Sequence, residues 1–409
     1  MTNPRGRNFV SYRRARAAEV SELARRLKTR GVPQWVDVSD LGAGSTEEQI
    51  ISALDDPNCA SGLVWLTPEV ADSAVIRRVE VPRLVQRVHR GDGFFAVMAV
   101  AGGLVYTEAA KVAAENLGTA DLRFWNLQKI EGDPAPPEEL NRLAEIVLHQ
   151  RLLAVVATIP DDEPLALGFW VRREPPTDDR PALQLDWHEM FSGRTATTGA
   201  WETELLPALR SVHHEIGKSA ARRRIVVHGH PTLAAAFALG RTFPAVSGMS
   251  VAWEQIATDG SRCLWSLSEP RQRSGFIVRA QGVDPAGDGL AVLVSVNHDA
   301  SLAYGVSAGL PPMRAAVEVD PADGGQRAQL STNGAVDLAY EIADAVRRAR
   351  TEFQGIRTIH MFLACPVGLA VMIGQLLNAV GPITVYEHDD EDAVGHYRPE
   401  VQIPASGLY

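Results

Sequence analysis

The chain has 409 residues, 45% of them apolar and 22% charged, with a net charge of −10. That apolar fraction excludes a mainly disordered chain, and the length predicts about two to four domains at roughly 100–200 residues each. The acidic balance argues against wholesale binding of duplex nucleic acid, where a basic face dominates affinity, but it leaves room for a small anion in a local basic pocket.

Strand and helix patterns alternate up to about residue 155. Asn8 to Tyr12 is a short apolar run, and a helix follows with Val20, Leu23 and Leu27 on one face. Gly31 ends that helix, and Val32 to Val36 reads as a second strand. Ser45 and Glu48 stand at capping-box spacing before a helix through Ile50, Ile51 and Leu54. Gly62 to Leu66 is a buried third strand. Ala74 to Arg90 is the third helix, with Pro82 in its first turn or at a kink. Phe94 to Val100 is a fourth strand, and a fifth is expected around Leu122 to Trp125. Strands separated by helices imply parallel pairing. Such sheets bind ligands at the carboxyl ends of their strands. Three features fall there: Ser11-Tyr12-Arg13-Arg14, the loop Asp37 to Gly44, and Glu80. Singly, each reads as ordinary surface. No GxGxxG follows the first strand, so a dinucleotide fingerprint is unsupported.

Together these pieces resemble a Toll/interleukin-1 receptor (TIR) domain. The resemblance rests on Phe9-Val10-Ser11-Tyr12-Arg13-Arg14, on Val36 to Gly44, on Val64-Trp65-Leu66-Thr67-Pro68, and on Glu80. It implies a flavodoxin-like domain over residues 1–155, nearest to TIR domains that cleave NAD+. In those, one glutamate of the third helix is essential, and Glu80 takes that place. The resemblance further implies that Phe9, Arg13, Arg14, Asp40, Leu41 and Gly42 hold NAD+. The family often has Trp four residues before the glutamate, where this chain has Ile76.

Glu131 to Glu138 is polar, and a helix through Leu140, Leu143, Ile146 and Leu153 follows. Pro160 to Pro164 reads as a linker. Beyond it the chain repeats itself. Opening strands are Leu165 to Val171 and Ala291 to Val296; helices are Leu205 to Ile216 and Ala335 to Phe353. Next come Arg222 to Pro231 and Ile356 to Pro366, each reading as a strand, a tight turn and Pro near a helix start. Apolar helices Leu233 to Leu239 and Leu369 to Leu377 precede last strands Met249 to Trp253 and Ile383 to Tyr386. Each half is a Rossmann-like lobe, over about 160–285 and 286–409.

This pair resembles a SAVED domain, a bacterial sensor of two CARF-like lobes that binds cyclic oligonucleotides. TIR fused to SAVED is the effector layout of cyclic-oligonucleotide antiphage defence (CBASS). The resemblance implies a ligand over the strand-end loops, which here hold Arg172, His228, Gly229, His230, Asn297, His298, Cys365 and Pro366, and Lys218 could add charge beside them. Helix N-termini at Thr232 and Val367 offer N–H groups to phosphates, and Trp187, Trp253 or Tyr397 could stack bases. His228 and His230 lack a third ligand at metal spacing, so no metal is expected. Cys365 has no evident partner as a nucleophile. Arg222 to Arg224 reads as a solvated helix end, and Asp389 to Asp392 as a solvated loop with a metal cluster as the alternative.

The whole then implies a NAD+ hydrolase switched on by a cyclic oligonucleotide, a cyclic tri-adenylate in the leading form. Ligand binding would drive assembly into an oligomer or filament that completes the TIR sites. NAD+ is substrate, and no resident cofactor is expected. One alternative is a non-enzymatic TIR scaffold that recruits another effector. Another is a second half that degrades its own cyclic nucleotide, with His228, His230 or His298 as base. No uncharged apolar run of about 18 residues exists, so no membrane span is expected. No apolar signal core follows Met1 to Arg7, so no leader is expected. Cys59, Cys263 and Cys365 are odd in number and far apart, which gives neither a disulfide framework nor a CxxC knuckle. A reducing cytoplasm is the simplest compartment.

Overall fold

Apolar runs such as Leu63-Val64-Trp65-Leu66 are too short for a helix and too uniform for a half-exposed strand, so they belong in a sheet covered on both faces. A computed structural model describes residues 1–36, 46–116, 125–256, 260–322, 330–389 and 395–405. The contacts divide the chain into two units. One holds Met1–Glu163, Pro175–Asp186 and Glu215–Ala220; the other holds Pro164–Glu174, Trp187–His214 and Ala221–Tyr409. The chain therefore changes unit at five joints, 163/164, 174/175, 186/187, 214/215 and 220/221. Among the described residues, no helix is long and apolar enough to cross a membrane.

The first unit alternates β1 (Arg7–Ser11), α1 (Ala17–Thr29), β2 (Gln34–Val36), α2 (Thr46–Asp55), β3 (Cys59–Leu66), α3 (Val81–His89), β4 (Phe95–Val100), α4 (Tyr106–Asn116), β5 (Asn126–Lys129) and α5 (Pro137–Val156). The sheet order is β2-β1-β3-β4-β5, and every pairing is parallel. That is the flavodoxin-like order, whose switch point lies between β1 and β3. The fifth strand is described over Asn126–Lys129; Leu122 lies among residues 117–124, outside the described residues. So do Ser45 and the whole loop Asp37 to Gly44, with Asp40, Leu41 and Gly42. Gly31 has φ +90° after α1, the left-handed turn that a glycine allows without strain.

The expected helix Ala74 to Arg90 is divided. A π-turn, Ile76–Glu80, leads into α3, and the Val81 N–H bonds the Ile76 carbonyl. Pro82 has no N–H to carry the ordinary four-residue bond back to Arg78, which favours the wider turn just before it. The same sequence of events recurs at Trp201–Leu205, where the Leu206 N–H bonds the Trp201 carbonyl and Pro207 follows.

Several arginines of this unit are struts rather than solvated charges. Arg151 donates to the carbonyls of Gly6 (2.6 Å), Arg5 (2.9 Å) and Ala182 (2.8 Å). Arg87 donates to the carbonyls of Cys59 (2.9 Å) and Leu54 and lies 4.7 Å over the Phe94 ring.

The second unit holds two lobes. The first has β6 (Leu165–Trp170), the hairpin β8 (Phe191–Ser192) and β9 (Thr195–Ala196), the start of α6 (Leu206–Ala220), β10 (Ile225–His230), α7 (Leu233–Thr242), β11 (Val251–Ile256) and β12 (Arg262–Ser266). The intervening β7 (Leu183–Asp186) lies in the first unit. β10 pairs in parallel with β6 and β11, and β12 turns back antiparallel on β11. The second lobe has β13 (Phe276–Gly282), β14 (Gly289–Ser295), α8 (Ala300–Val306), β15 (Met313–Pro321), α9 (Thr332–Glu352), β16 (Thr358–Ala364), α10 (Val367–Leu376), β17 (Ile383–Asp389) and β18 (His396–Ile403). Its order is β13-β15-β14-β16-β17-β18, parallel inside and antiparallel at both edges.

The lobes meet where α7 crosses α10, and both helices are buried almost all round. A Cβ on Gly240 would stand 2.1 Å from the Val371 carbonyl oxygen, and one on Gly374 would stand 2.4 Å from that of Phe237. The two backbones therefore touch at their glycines.

Candidate ligand cavity

Parallel strands end with their loops on one edge of the sheet, and side chains there converge from several elements. In the second unit this edge bounds a cavity of about 880 Å³. Asn297, His298 and Asp299 follow β14, Ala364 and Cys365 close β16, and Thr232 precedes α7. Glu387 and His388 come from β17, Tyr397 from β18, Arg194 from the β8–β9 turn, and Arg172 from the segment after β6. The loops are tied together: the N–H groups of Val296 (3.0 Å) and Asn297 (2.7 Å) both donate to the Ala364 carbonyl. Asp299 caps α8 by accepting from the Ser301 N–H at 2.9 Å. Arg172 and Arg194 give the wall positive charge; Asp299 and Glu387 give it negative charge.

Of the residues singled out from the sequence, Arg172, Asn297, His298, Cys365 and Tyr397 line this cavity. Lys218, His228, Gly229, His230 and Pro366 do not. Lys218 sits late in α6 and pairs with Glu215 at 3.0 Å. His228 lies edge-on to Trp170, with 6.2 Å between ring centroids. Gly229 has φ +137°, and a Cβ there would stand 2.1 Å from the Phe169 carbonyl oxygen, so it serves strand approach. His230 is exposed, and its imidazole pKa is lowered, first by partial burial and then by Arg173 and Arg172. Pro366 caps α10. Trp187 and Trp253, the expected stacking rings, are in the core; Trp187 packs edge-on to Phe169 at 4.7 Å. Tyr397 is 2% exposed, and its ring lies edge-on to those of Phe362 and His388. Burial pushes the Cys365 thiol well above its ordinary pKa, which suits a packed side chain rather than a nucleophile.

The helix N-termini differ from expectation. At α7 the Ala235 N–H is bonded to Thr232 Oγ1 (3.2 Å) and the Ala234 N–H to Glu387 Oε2 (3.0 Å). At α10 the Gly368 N–H is bonded to Gln255 Oε1 at 3.2 Å. These three amides already have acceptors, so they are not the free N–H groups expected at the two helix starts.

Glu387 is the main residue that sequence reading missed. It is 5% exposed, and Arg194 stands 3.9 Å from its Oε1. Burial raises its pKa to about 7, against the lowering effect of the Ala234 amide and of Arg194. The signal was present but weak: β17 runs three residues past Tyr386, so an acidic residue occupies a strand position. Arg194, in the turn of a six-residue hairpin, carries no pattern that sequence reading could use.

In the first unit, Arg13 and Arg14 follow the carboxyl end of β1, beside the β1/β3 switch point. Arg13 is half-buried and Arg14 exposed. Glu80 is 7% exposed and closes the π-turn before α3. Phe9 is 1% exposed and stacks on Trp35 with centroids 4.9 Å apart. It borders a hollow of about 420 Å³ with Arg7, Asp56 and Asn58, at the amino ends of the strands, and so is not brought together with Arg13 and Arg14. Arg16, which sequence reading passed over, bonds Glu19 (3.1 Å), Glu69 (2.9 Å) and Asp133, and these carboxylates raise its pKa further.

Residues 208–403 match the family described as "SMODS-associated and fused to various effectors sensor domain", SAVED, so that segment carries a SAVED domain. CD-NTase-associated protein 4 of Acinetobacter sp. (strain ATCC 27244 / 9458) is 21% identical over 214 residues, 51% of this chain. The chain spans only 42% of that relative's length. A solved structure of an Acinetobacter baumannii Cap4 SAVED/CARF-domain receptor with the cyclic trinucleotide 2'3'3'-cAAA is similar with a TM-score of 0.50 and 15% identity. That similarity covers 97% of this chain and 80% of that one, and it bears on the fold. A Moraxella osloensis Cap4 receptor gives 14% identity and a TM-score of 0.41, over 88% of this chain and 86% of that one.

Proposed function

We propose that this chain is a NAD+ hydrolase gated by a cyclic oligonucleotide, in the leading form a cyclic tri-adenylate, and that it serves antiphage defence in the cytoplasm. The cavity of the second unit is the observation that carries the sensor half. Its roughly 880 Å³ is near the top of the 300–1,000 Å³ common for small-molecule sites, which suits a ligand larger than a mononucleotide. Arg172 and Arg194 supply charge for phosphates. The SAVED match and the cyclic trinucleotide named for a similar receptor favour the same ligand class.

The enzymatic half rests on the first unit. Its β1/β3 switch point is where doubly wound sheets take ligands. Arg13 and Arg14 there would hold the pyrophosphate. Cleavage of the nicotinamide–ribose bond passes through an oxocarbenium-like state. Nicotinamide leaves as a neutral base, so no general acid is needed. Glu80 would stabilise the positive charge on the ribose, and water would complete ADP-ribose. Ring binding would drive protomers together and complete the sites, keeping NAD+ intact until a ring appears.

The test is nicotinamide release from NAD+ with a panel of cyclic di-, tri- and tetranucleotides, for wild type and Glu80→Gln. One ring is expected to trigger release, and Glu80→Gln is expected to lower it by about 10²–10³-fold. Ring binding with no release at any ring size would defeat the enzymatic reading and favour a recruiting scaffold. Light scattering on the same samples tests assembly: an active monomer would remove that step.

A further inference from the structure

We propose that Glu387 selects the ligand of the second-unit cavity by accepting a hydrogen bond from the exocyclic amino group of a nucleobase. The inference rests on the proposed cyclic-oligonucleotide function of that cavity. Glu387 is on the cavity wall and almost fully buried, so whatever fills the cavity meets a carboxylate out of bulk water. Its orientation is fixed, because Oε2 accepts from the Ala234 N–H at 3.0 Å. Oε1 faces Arg194 at 3.9 Å, beyond hydrogen-bond reach. A carboxylate has about four lone-pair sites and no donor, and the Ala234 and Leu233 amides with one distant guanidinium leave acceptor capacity to spare.

The neighbours sharpen the choice. Arg194 comes from the β8–β9 turn, His388 from the same strand, Tyr397 and Glu400 from β18, and Cys365 from the end of β16. Glu400 is itself acidic and is engaged by Trp201 Nε1 at 2.8 Å. Glu387 and the neighbouring Glu400 disfavour a phosphate directly against Glu387, which leaves the ring's phosphates to the guanidinium groups of Arg172 and Arg194. A base edge is then left for Glu387. Adenine offers N6–H₂ as a donor; hypoxanthine offers only an acceptor oxygen at that position. A buried acceptor facing an acceptor loses a bond and gains repulsion. Burial raises the Glu387 pKa to about 7, and a donor from the ligand would favour the ionised form.

The experiment measures affinities for cyclic tri-adenylate and cyclic tri-inosinate at pH 8, where Glu387 is ionised. Wild type is expected to prefer the adenosine ring by about tenfold or more. In Glu387→Gln the amide oxygen replaces Oε2 at the Ala234 N–H and turns its NH₂ to the cavity. The preference should then fall below about threefold or reverse in favour of the inosine ring. A ring of purine riboside, with hydrogen at C6, gives a readout on wild type alone and should bind with intermediate affinity. Equal binding of the adenosine and inosine rings by wild type, or an unchanged preference in a folded Glu387→Gln, overturns the proposal. If none of the rings binds, the cavity's proposed function fails and this inference falls with it.

Discussion

A carboxylate drawn out of water resists ionisation, and the resistance is a stability term with a definite sign. Glu387 moves from an ordinary 4.5 to about 7. The folded protein therefore holds that proton more tightly than the unfolded chain. The contribution is full below pH 4.5 and is lost as pH rises through 7. The gap corresponds to roughly 3 kcal/mol against the folded state at alkaline pH. Glu387→Gln keeps an acceptor for the Ala234 N–H and has no charge to bury. Its Tm, followed by calorimetry, should exceed that of wild type by several degrees at pH 8 and differ little at pH 5. An equal shift at both pH values would show that burial of the charge is not the cause. The arginines illustrate the reverse case. Arg26, Arg30, Arg87, Arg151 and Arg241 are all buried, and Arg223 of the expected solvated run Arg222 to Arg224 is buried too. A guanidinium donates to several carbonyls at once, so a chain short of lysine can use arginine to tie distant segments.

Helix pairs that touch backbone to backbone depend on having no side chain at the crossing. Gly240→Ala or Gly374→Ala would place a methyl within 2.1 or 2.4 Å of a carbonyl oxygen of the facing helix. Each is expected to destabilise the second unit by about 1–3 kcal/mol and to move the lobes, weakening ring binding. A denaturation midpoint equal to wild type would show that α7 and α10 yield freely. Much of the element order was open to sequence reading. Strands buried on both faces, such as β3, β14 and β16, announce themselves as apolar runs, and α9 shows its buried stripe at helical spacing. The edges were not legible. β12 and β13 include exposed residues and have weak alternation, so pairing rather than pattern defines them. The cavity followed the same rule: loops after β14 and β16 could be placed from strand order, while Arg194 and Glu387 reach it from a short hairpin and from a strand that outruns its apolar core. The π-turn ending at Glu80 was visible only as Pro82 within an otherwise regular helix.

Neither unit is one continuous stretch of chain. Residues 1–163 make up most of the first unit, but Pro175–Asp186 and Glu215–Ala220 complete it. Cut at Glu163, the buried guanidinium of Arg151 loses the Ala182 carbonyl, and Gly31 loses the Gln184 N–H that its carbonyl accepts at 2.9 Å. A fragment of residues 1–163 should therefore melt at a lower temperature than the first unit within the whole chain, by about 2–4 kcal/mol in stability for the orphaned groups. A circular-dichroism melt checks this, and a fragment as stable as the whole would show the later segments to be ornamental. The five joints also bear on how such a protein can be inherited. Two bodies joined by one tether can be exchanged by one recombination event, each arriving whole. Here a single crossover within 164–220 would deliver at least one body with a piece missing. A swap of the second unit between chains must therefore bring a matching Pro175–Asp186 and Glu215–Ala220 with it, or supply the first unit with replacements for them.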